Sequence, residues 1–154
     1  MIQSKTRLYD KKQTADQMHA LVNKFFSDLD NFKVKTANGF KTLSELNLKQ
    51  FYDFVRTIPY RMDNSPIEVI SRPRHIIKLK NKGMDCKKKA ILIGSYLKKN
   101  NIPFRFIASS NKPHKRIHHI FPQVQLFGEW RNMDATYQNY LMFEPKRVTA
   151  AEVV

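Results

Sequence analysis

The stretch that decides the fold is residues 83–101, which read GMDCKKKAILIGSYLKKNN. Its middle, from Ala90 to Leu97, is strongly apolar and forms the body of a predicted helix. Two lysines and two asparagines close the stretch, and cations and asparagine are both favoured at the C-terminal end of a helix. The irregular GMD segment leads into this helix, so the pattern predicts that Cys86 lies at the helix N-terminus.

Two more helices are predicted before this one. The segments TADQ (14–17) and TLSE (42–45) both have the form of a capping box, with a hydroxyl residue three positions before Gln or Glu. Apolar residues at helical spacing follow each box, which predicts one helix to about Asp30 and a second that ends near Pro59. Residues 59–82 contain three prolines and are expected to be irregular.

After residue 101 the hydrophobic period changes from helical to alternating. Residues 104–108 and 118–127 are predicted strands, and Pro122 suggests that the second is an edge strand or contains a bulge. Gly128 turns the chain into a third short strand over residues 130–134. Helices followed by strands predict an α+β fold with an antiparallel sheet.

Length and composition favour one domain over residues 1–154. The chain is 42% hydrophobic and 12% aromatic, so a packed core can form. We expect a polar arm over residues 1–12 and a tail over residues 146–154. No apolar run approaches the roughly 18 residues of a membrane span, and no apolar region follows the N-terminal basic residues as in a signal peptide. The chain is therefore expected to be cytoplasmic when it is synthesised.

Charge is the outlying property of the composition. Lys and Arg number 28 against 13 Asp and Glu, a formal net charge of +15. Such an excess attracts polyanions such as nucleic acid or an acidic protein surface, although a general bias toward lysine would give the same count. Eight basic residues opposed by Asp85 alone form a candidate anion-binding stripe: Arg72, Arg74, Lys78, Lys80, Lys82, Lys87, Lys88 and Lys89. A second basic segment, residues 111–116, contacts an anion or is simply a solvated turn.

Cys86 is the single cysteine, so an internal disulfide and a cluster of thiolate metal ligands are both excluded. The five histidines are scattered without metal-binding spacing, so no metal site is expected. At a helix N-terminus the dipole and the free N–H groups stabilise a thiolate, and the same N–H groups can stabilise an oxyanion. The plainer interpretation is a small buried side chain at the start of a capped helix.

A thiolate nucleophile needs a nearby imidazole and a group that orients it. His118 and His119 are neighbours on the second predicted strand, so only one of them can face Cys86. Asp134 lies on the partner strand beyond the Gly128 turn, where a carboxylate can reach a histidine across the ladder. Periodicity alone leaves His118 and His119 equally eligible.

Several blocks of sequence, in one order, resemble the transglutaminase-like family. They are GMDCKKKA (83–90), NIPFR (101–105), HIFPQV (119–124) and GEWRNMDAT (128–136). At these places the family shows Gly-x-Asp-Cys-x-x-x-Ala, Gly-Ile-Pro-x-Arg, His-x-Trp-x-Glu-Val and Gly-x-Trp-x-x-x-Asp-x-Thr. The resemblance spans residues 83–137 and implies a papain-like α+β fold, in which the helix of the nucleophile packs on a small antiparallel sheet.

The resemblance also implies the roles of particular residues. Cys86 would be the nucleophile, His119 the general base and acid, and Asp134 the residue that orients His119. Trp130 and Thr136 would support the strand and the turn around Asp134.

Tyr60 is, by its position, the nearest candidate for a side-chain oxyanion donor, although packing is the more frequent role of such an aromatic residue. Three positions depart from the family pattern: Asn101 replaces Gly, Phe121 replaces Trp and Gln123 replaces Glu. Lysines also stand at positions 87 and 88, where acidic residues are common. These departures keep the substrate class open.

The implied activity is attack on an amide carbonyl of a protein or peptide through a Cys86 thioester, without a cofactor. Water as the acceptor gives proteolysis or deamidation, and a lysine amine gives a cross-link; hydrolysis needs fewer special features and ranks first. The alternative is a non-catalytic basic module on the same fold that binds nucleic acid or a capsid-like assembly. A short chain rich in Lys and Asn would suit a bacteriophage source and a virion-associated protein.

Overall fold

The structure, a computed structural model, describes residues 3–7, 11–62, 67–110, 119–148 and 150–154. The helices are α1 (Lys11–Phe25), α2 (Leu48–Arg56), α3 (Pro73–Lys78) and α4 (Cys86–Lys99). The strands are β1 (Gln3–Arg7), β2 (Lys33–Thr36), β3 (Gly39–Thr42), β4 (Ile67–Ser71), β5 (Phe104–Ser110), β6 (His119–Leu126), β7 (Glu129–Asn132) and β8 (Ala150–Val153). Within these described ranges, no helix is long and apolar enough to cross a membrane.

Helix α4 is the centre of the fold. Its N-cap, Asp85, has extended backbone angles and accepts a hydrogen bond at 3.0 Å from the backbone N–H of Lys88. After its last turn, Asn101 takes the left-handed φ of 57° that asparagine tolerates. Apolar side chains are buried all round α4 because α1, α2 and β6 pack against it. The predicted helix is confirmed, and Cys86 is its first residue.

A four-stranded antiparallel sheet covers one side of α4 in the order β7-β6-β5-β8. Ala108 of β5 lies opposite Ile120 of β6, and Val124 of β6 lies opposite Arg131 of β7. Ala108, Ile120 and Val124 join Phe106 in the apolar core. The result is the α+β architecture that the order of helices and strands predicts.

Pro122 lies in β6, an internal strand, so the prediction of an edge strand or a bulge is wrong. The carbonyl of Pro122 accepts a hydrogen bond at 2.9 Å from the N–H of Met133. In an antiparallel strand the nitrogen and carbonyl of one residue face the same neighbour, so the proline nitrogen also faces the β7 side. The ladder with β7 ends at Gln123 and Asn132. The missing N–H therefore removes no bond between β5 and β6.

The first two helices do not begin at the predicted capping boxes. Thr14 is buried inside α1, and a 3-10 helix continues from α1 over Phe26–Asn31. The second box forms only a single 3-10 turn, Leu43–Glu45. The cap of α2 is Asn47, which exchanges hydrogen bonds of 2.8 and 3.0 Å with Gln50. Asparagine and glutamine thus make the capping box that a hydroxyl residue and glutamate were expected to make.

Three segments predicted to lack regular structure contain strands or a helix. The predicted arm (1–12) contains β1, which pairs with β4, and the predicted tail (146–154) contains β8, which pairs with β5. The stretch 59–82 holds β4 and α3. Backbone groups in these segments are paired with strands far away in sequence, and such pairing leaves no local periodicity to detect.

Candidate active site

Cys86 begins α4 and is only 6% exposed. The first regular helical bond runs from the N–H of Lys89 to the carbonyl of Asp85 at 3.2 Å. N–H groups at a helix start have no carbonyl one turn earlier to bind, so an oxyanion formed beside the sulfur would meet donors and the positive end of the dipole. Nζ of Lys87 lies 3.9 Å from Sγ and adds a positive charge next to the thiol.

The turn before α4 is held by close contact with a second piece of backbone. Gly83 has a φ of +81°, and a Cβ there would lie 2.9 Å from Cβ of Arg61 and 3.0 Å from the carbonyl oxygen of Pro59. The N–H of Met84 donates to the carbonyl of Pro59 at 2.9 Å, and the N–H of Arg61 donates to the carbonyl of Met84 at 3.1 Å. Only glycine fits this approach without strain. The contact fixes Tyr60 beside the start of α4.

His119 lies between the thiol and a carboxylate. Its Nε2 is 2.6 Å from Oδ2 of Asp134, and the side chain of Cys86 is near enough to the ring to act on its pKa. Because Asp134 takes Nε2, the nitrogen left for the sulfur is Nδ1. The ring stacks on Phe121 with centroids 5.6 Å apart, which restricts its orientation. The structure thus brings Cys86, His119 and Asp134 together in one row.

Asp134 is buried, and each of its carboxylate oxygens has two donors. Oδ1 accepts from the N–H and the hydroxyl of Thr136 at 3.0 and 2.5 Å. Oδ2 accepts from Nε2 of His119 and from Nζ of Lys146, both at 2.6 Å. Burial disfavours the charged carboxylate, but His119 and Lys146 outweigh it and hold the pKa of Asp134 well below its usual range. Asp134 therefore stays ionised at any pH at which the chain would work.

The same contacts decide the charge of His119. Burial by itself would lower the pKa of this imidazole, but the hydrogen bonds to Asp134 and Cys86 overcome that effect and raise the pKa to about 9. The ring is therefore protonated at neutral pH. A cysteine side chain beside a protonated imidazole and a buried carboxylate is an arrangement capable of acyl transfer.

The three predicted supporting residues have different surroundings. Thr136 binds Asp134 directly. Trp130 lies in β7 with the guanidinium of Arg105 4.2 Å from its ring centroid, so its contact is with the sheet. The ring of Tyr60 packs on Tyr137 at 4.7 Å. Burial, together with the neighbouring Tyr137 and Cys86, raises the pKa of Tyr60 above its usual range, so Tyr60 keeps its proton. An oxyanion-donor role for Tyr60 stays a prediction.

The predicted anion-binding stripe is not one continuous surface. Arg72 makes a two-point ion pair with Asp28 at 2.8 and 2.5 Å, and Lys89 is only 1% exposed. Burial keeps Lys89 away from any external polyanion. Arg72 is ion-paired but has a 21% exposed side chain, so polyanion binding by Arg72 stays a prediction. The other six members are exposed or half-buried: Arg74, Lys78, Lys80, Lys82, Lys87 and Lys88. Polyanion binding by these six stays a prediction.

Lys89 is enclosed by backbone carbonyls. Its Nζ lies 2.6 Å from the oxygen of Ile58, 2.9 Å from that of Thr136, 3.1 Å from that of Ala135 and 3.4 Å from that of Arg56. Burial lowers the pKa of Lys89 to about 8. Arg56 is the last residue of α2 and Ile58 follows that helix. Ala135 and Thr136 directly follow Asp134. Lys89 therefore joins the helix of Cys86 to the segment that carries the carboxylate.

The roles of two lysines near the site were not predicted from the sequence, which gave Lys89 only as a member of the anion-binding stripe. The helical spacing indicates that Lys89 is buried, because it lies three residues after Cys86 and four before Ile93, on a buried face of α4. No sequence pattern indicates a role for Lys146, because it lies in a segment without helix or strand that was expected to be a tail. Its contact with Asp134 arises only from the folded path of the chain.

Some predictions fall on parts of the chain that the structure does not describe. The orientation of His118 and the basic segment 111–116 both lie outside the described residues. Among the residues that are described, no group of three or more His, Cys, Asp or Glu side chains could hold a metal ion.

Comparison with known proteins gave one structural likeness to report. No protein-family model matches the chain, and no curated protein matches it. A solved structure from Cytophaga hutchinsonii, described as a "putative cysteine protease", is similar with a TM-score of 0.45 and 16% sequence identity. The likeness covers 97% of this chain and 48% of that chain, so this chain spans about half the length of the protein that it matches.

Proposed function

We propose that the chain is a thiol-dependent hydrolase of amide bonds in proteins or peptides, with Cys86 as nucleophile, His119 as acid and base, and Asp134 as the residue that orients His119. The observation that carries the proposal is the row of three side chains. Nε2 of His119 lies 2.6 Å from Oδ2 of Asp134, and the same ring interacts with the side chain of Cys86. This order of groups meets the requirements of nucleophilic acyl transfer.

In the first half of the reaction, the Cys86 thiolate attacks the amide carbonyl carbon. The carbonyl oxygen becomes an oxyanion near the N–H groups at the start of α4. Protonated His119 gives its proton to the amide nitrogen as the carbon–nitrogen bond breaks. The amine leaves, and the acyl group remains on Cys86 as a thioester.

In the second half, neutral His119 takes a proton from water, and the water oxygen attacks the thioester carbonyl. The carbon–sulfur bond breaks and the carboxylic acid leaves. Sulfur departs as a thiolate while the proton stays on His119, so the starting charge state returns. Asp134 keeps the imidazole ring in one orientation through both steps, because its carboxylate is held by Thr136 on the opposite oxygen.

Alkylation of the single cysteine gives the first test. The rate of iodoacetamide addition to Cys86 is followed by intact mass from about pH 5 to about pH 9. We expect rapid alkylation at neutral pH, slowed about 10²-fold or more by His119→Ala. His75→Ala is the matched control, because His75 is an exposed histidine of α3. Alkylation that rises only near the ordinary thiol value of about 8.5, and that His119→Ala leaves unchanged, would overturn the proposal.

Product analysis tests the acceptor. Unfolded casein is incubated with the chain, with and without a labelled primary amine, and its peptides are analysed by mass spectrometry. We expect cleaved peptide bonds or side-chain amides converted to acids, and no such products with Cys86→Ser. Incorporation of the labelled amine in excess of hydrolysis would replace water by an amine as the acceptor and refute the hydrolase assignment.

A further inference from the structure

We propose that Lys146 is a positioning residue of this site, and that by sharing one carboxylate oxygen of Asp134 with His119 it sets the pH range in which the thiolate and the imidazolium coexist. The inference rests on the proposed function, since it assigns Lys146 a part in the same chemistry. Lys146 would act through Asp134 and would not touch the substrate.

Lys146 is a mostly buried side chain that contacts Asp134 directly. Its Nζ is 2.6 Å from Oδ2 of Asp134, the same oxygen that binds Nε2 of His119. Its side chain is only 15% exposed. The ammonium lies 3.6 Å from the ring centroid of Tyr140 and 5.7 Å from that of Phe121, which also stacks on His119. Exposed ion pairs contribute little, but here a buried carboxylate and a mostly covered ammonium interact with weak screening.

The segment that carries Lys146 is fastened to the sheet. Nδ2 of Asn132, the last residue of β7, donates to the carbonyl of Glu144 at 3.0 Å. The N–H of Phe143 donates to the carbonyl of Asn132 at 2.9 Å. Nε2 of Gln123 in turn donates to Oδ1 of Asn132 at 2.8 Å. These bonds hold the backbone two residues before Lys146, so the ammonium is directed at Asp134 by the fold.

Charge balance explains what Lys146 does. A thiolate, an imidazolium, a carboxylate and an ammonium sum to zero, whereas the first three alone sum to −1. Without Lys146, the uncompensated carboxylate would hold the proton of His119 more tightly and would disfavour the thiolate of Cys86. Both changes move the working range of the pair to higher pH.

Other groups face this site and remain in place when Lys146 is changed. Tyr52 of α2, for example, donates its hydroxyl to the backbone carbonyl of Asp134 at 2.9 Å. The other titratable or charged groups around the site include Cys86, Lys87 and Lys89 of α4, its N-cap Asp85, Arg56 of α2, Tyr60, Tyr137, Tyr140 and Glu144. Within the described part of the chain, the cations on Oδ2 of Asp134 are His119 and Lys146.

Three variants separate charge from shape in the full chain. Lys146→Met keeps the apolar stem, Lys146→Gln keeps a neutral donor, and Lys146→Arg keeps the positive charge. Lys49→Met is the matched control, because Lys49 is an α2 lysine with a 66% exposed side chain that pairs with Asp53 at 2.8 Å. The readouts are the pH profile of Cys86 alkylation and an NMR titration of the ¹⁵N-labelled His119 ring.

We expect the His119 titration and both limbs of the alkylation profile to move up by about one to two pH units in Lys146→Met. Lys146→Gln should move them similarly, while Lys146→Arg and Lys49→Met should leave them near the wild-type position. An unchanged His119 titration in Lys146→Met and Lys146→Gln would overturn the proposal, even if activity were lost. A Lys146→Gln profile equal to wild type would also overturn it, because the charge would then have no part.

The two proposals fail in different ways. If the proposed function is wrong, the wild-type thiol is not alkylated rapidly at neutral pH, whatever residue stands at position 146. If only the role of Lys146 is wrong, the wild type reacts rapidly and the variants keep its pH profile. Should Lys146→Met fail to fold, Lys146→Gln and Lys146→Arg still compare a neutral donor with a charged one and decide the question.

Discussion

Replacing Lys89 with methionine removes the ammonium that is enclosed by carbonyls and keeps most of its apolar stem. Three of the four carbonyl oxygens lie within 3.1 Å of Nζ. At about 1.5–3 kcal/mol for each hydrogen bond to a charged group, the three contribute about 5–9 kcal/mol. Burying the ammonium offsets this, since lowering the pKa of Lys89 to about 8 from 10.5 corresponds to about 3 kcal/mol. The net loss expected from these two terms is about 2–6 kcal/mol.

Urea unfolding at neutral pH, followed by far-UV circular dichroism, measures this loss. Lys88→Met is the matched control on the same helix, because the Lys88 side chain is 25% exposed and its Nζ is 4.0 Å from Oδ2 of Asp85; it should cost less than about 1 kcal/mol. A Lys89→Met protein within about 1 kcal/mol of wild type would refute the reasoning. It would mean that the backbone carbonyls find water or other donors when the ammonium is gone.

Three further outcomes are expected. The pKa of His119 is raised to about 9 from 6.5, so its contribution to the free energy of unfolding is complete below about pH 6.5 and is lost, by up to about 3 kcal/mol, as pH rises through 9. In urea unfolding across this pH range, His119→Gln should remove that loss of stability. A pH dependence of the free energy of unfolding that His119→Gln leaves unchanged would contradict this expectation. Thr136→Val removes the hydroxyl that donates to Asp134 at 2.5 Å and should slow Cys86 alkylation about tenfold with a loss of about 1–2 kcal/mol, whereas Thr136→Ser should behave as wild type. Gly83→Ala should lower the free energy of unfolding by about 1–3 kcal/mol more than Gly39→Ala. Both glycines have positive φ, but a Cβ at position 39 meets nothing within 4 Å, whereas one at position 83 meets Arg61 and Pro59. Equal losses in thermal unfolding would rule out this contact as the cause.

The elements that the sequence predicts well are those whose local pattern and tertiary surroundings agree. α4 has an N-cap, an apolar body and a C-terminal asparagine, so both its ends and the place of Cys86 follow from local chemistry. β1, β4 and β8 were missed because their pairing joins segments that are far apart in sequence. The capping boxes gave the wrong helix starts, because a hydroxyl residue three positions before Gln or Glu does not show which residue is the first in the helix.

The residues of the candidate site were also predicted only in part. Periodicity placed a histidine pair and Asp134 near Cys86, but the choice of His119 came from the resemblance to the transglutaminase-like family. Asp134 lies two residues beyond β7, not on the strand as predicted. The role of Lys146 could not be predicted from the sequence, because its contact with Asp134 depends on how a segment without regular structure returns to the sheet.

The enclosure around Lys89 has a consequence for sequence divergence. Its acceptors are main-chain oxygens, and a substitution changes a side chain without removing the carbonyl behind it. Positions 56, 58 and 135 can therefore change their side chains and still bind the ammonium, provided that the backbone path is kept. For the bonds to the ammonium, the mutational sensitivity therefore falls on the single residue that donates. A saturation scan should find Lys89 intolerant and the half-buried Arg56 tolerant, whereas Ile58 and Ala135 should accept only side chains that fit their buried surroundings.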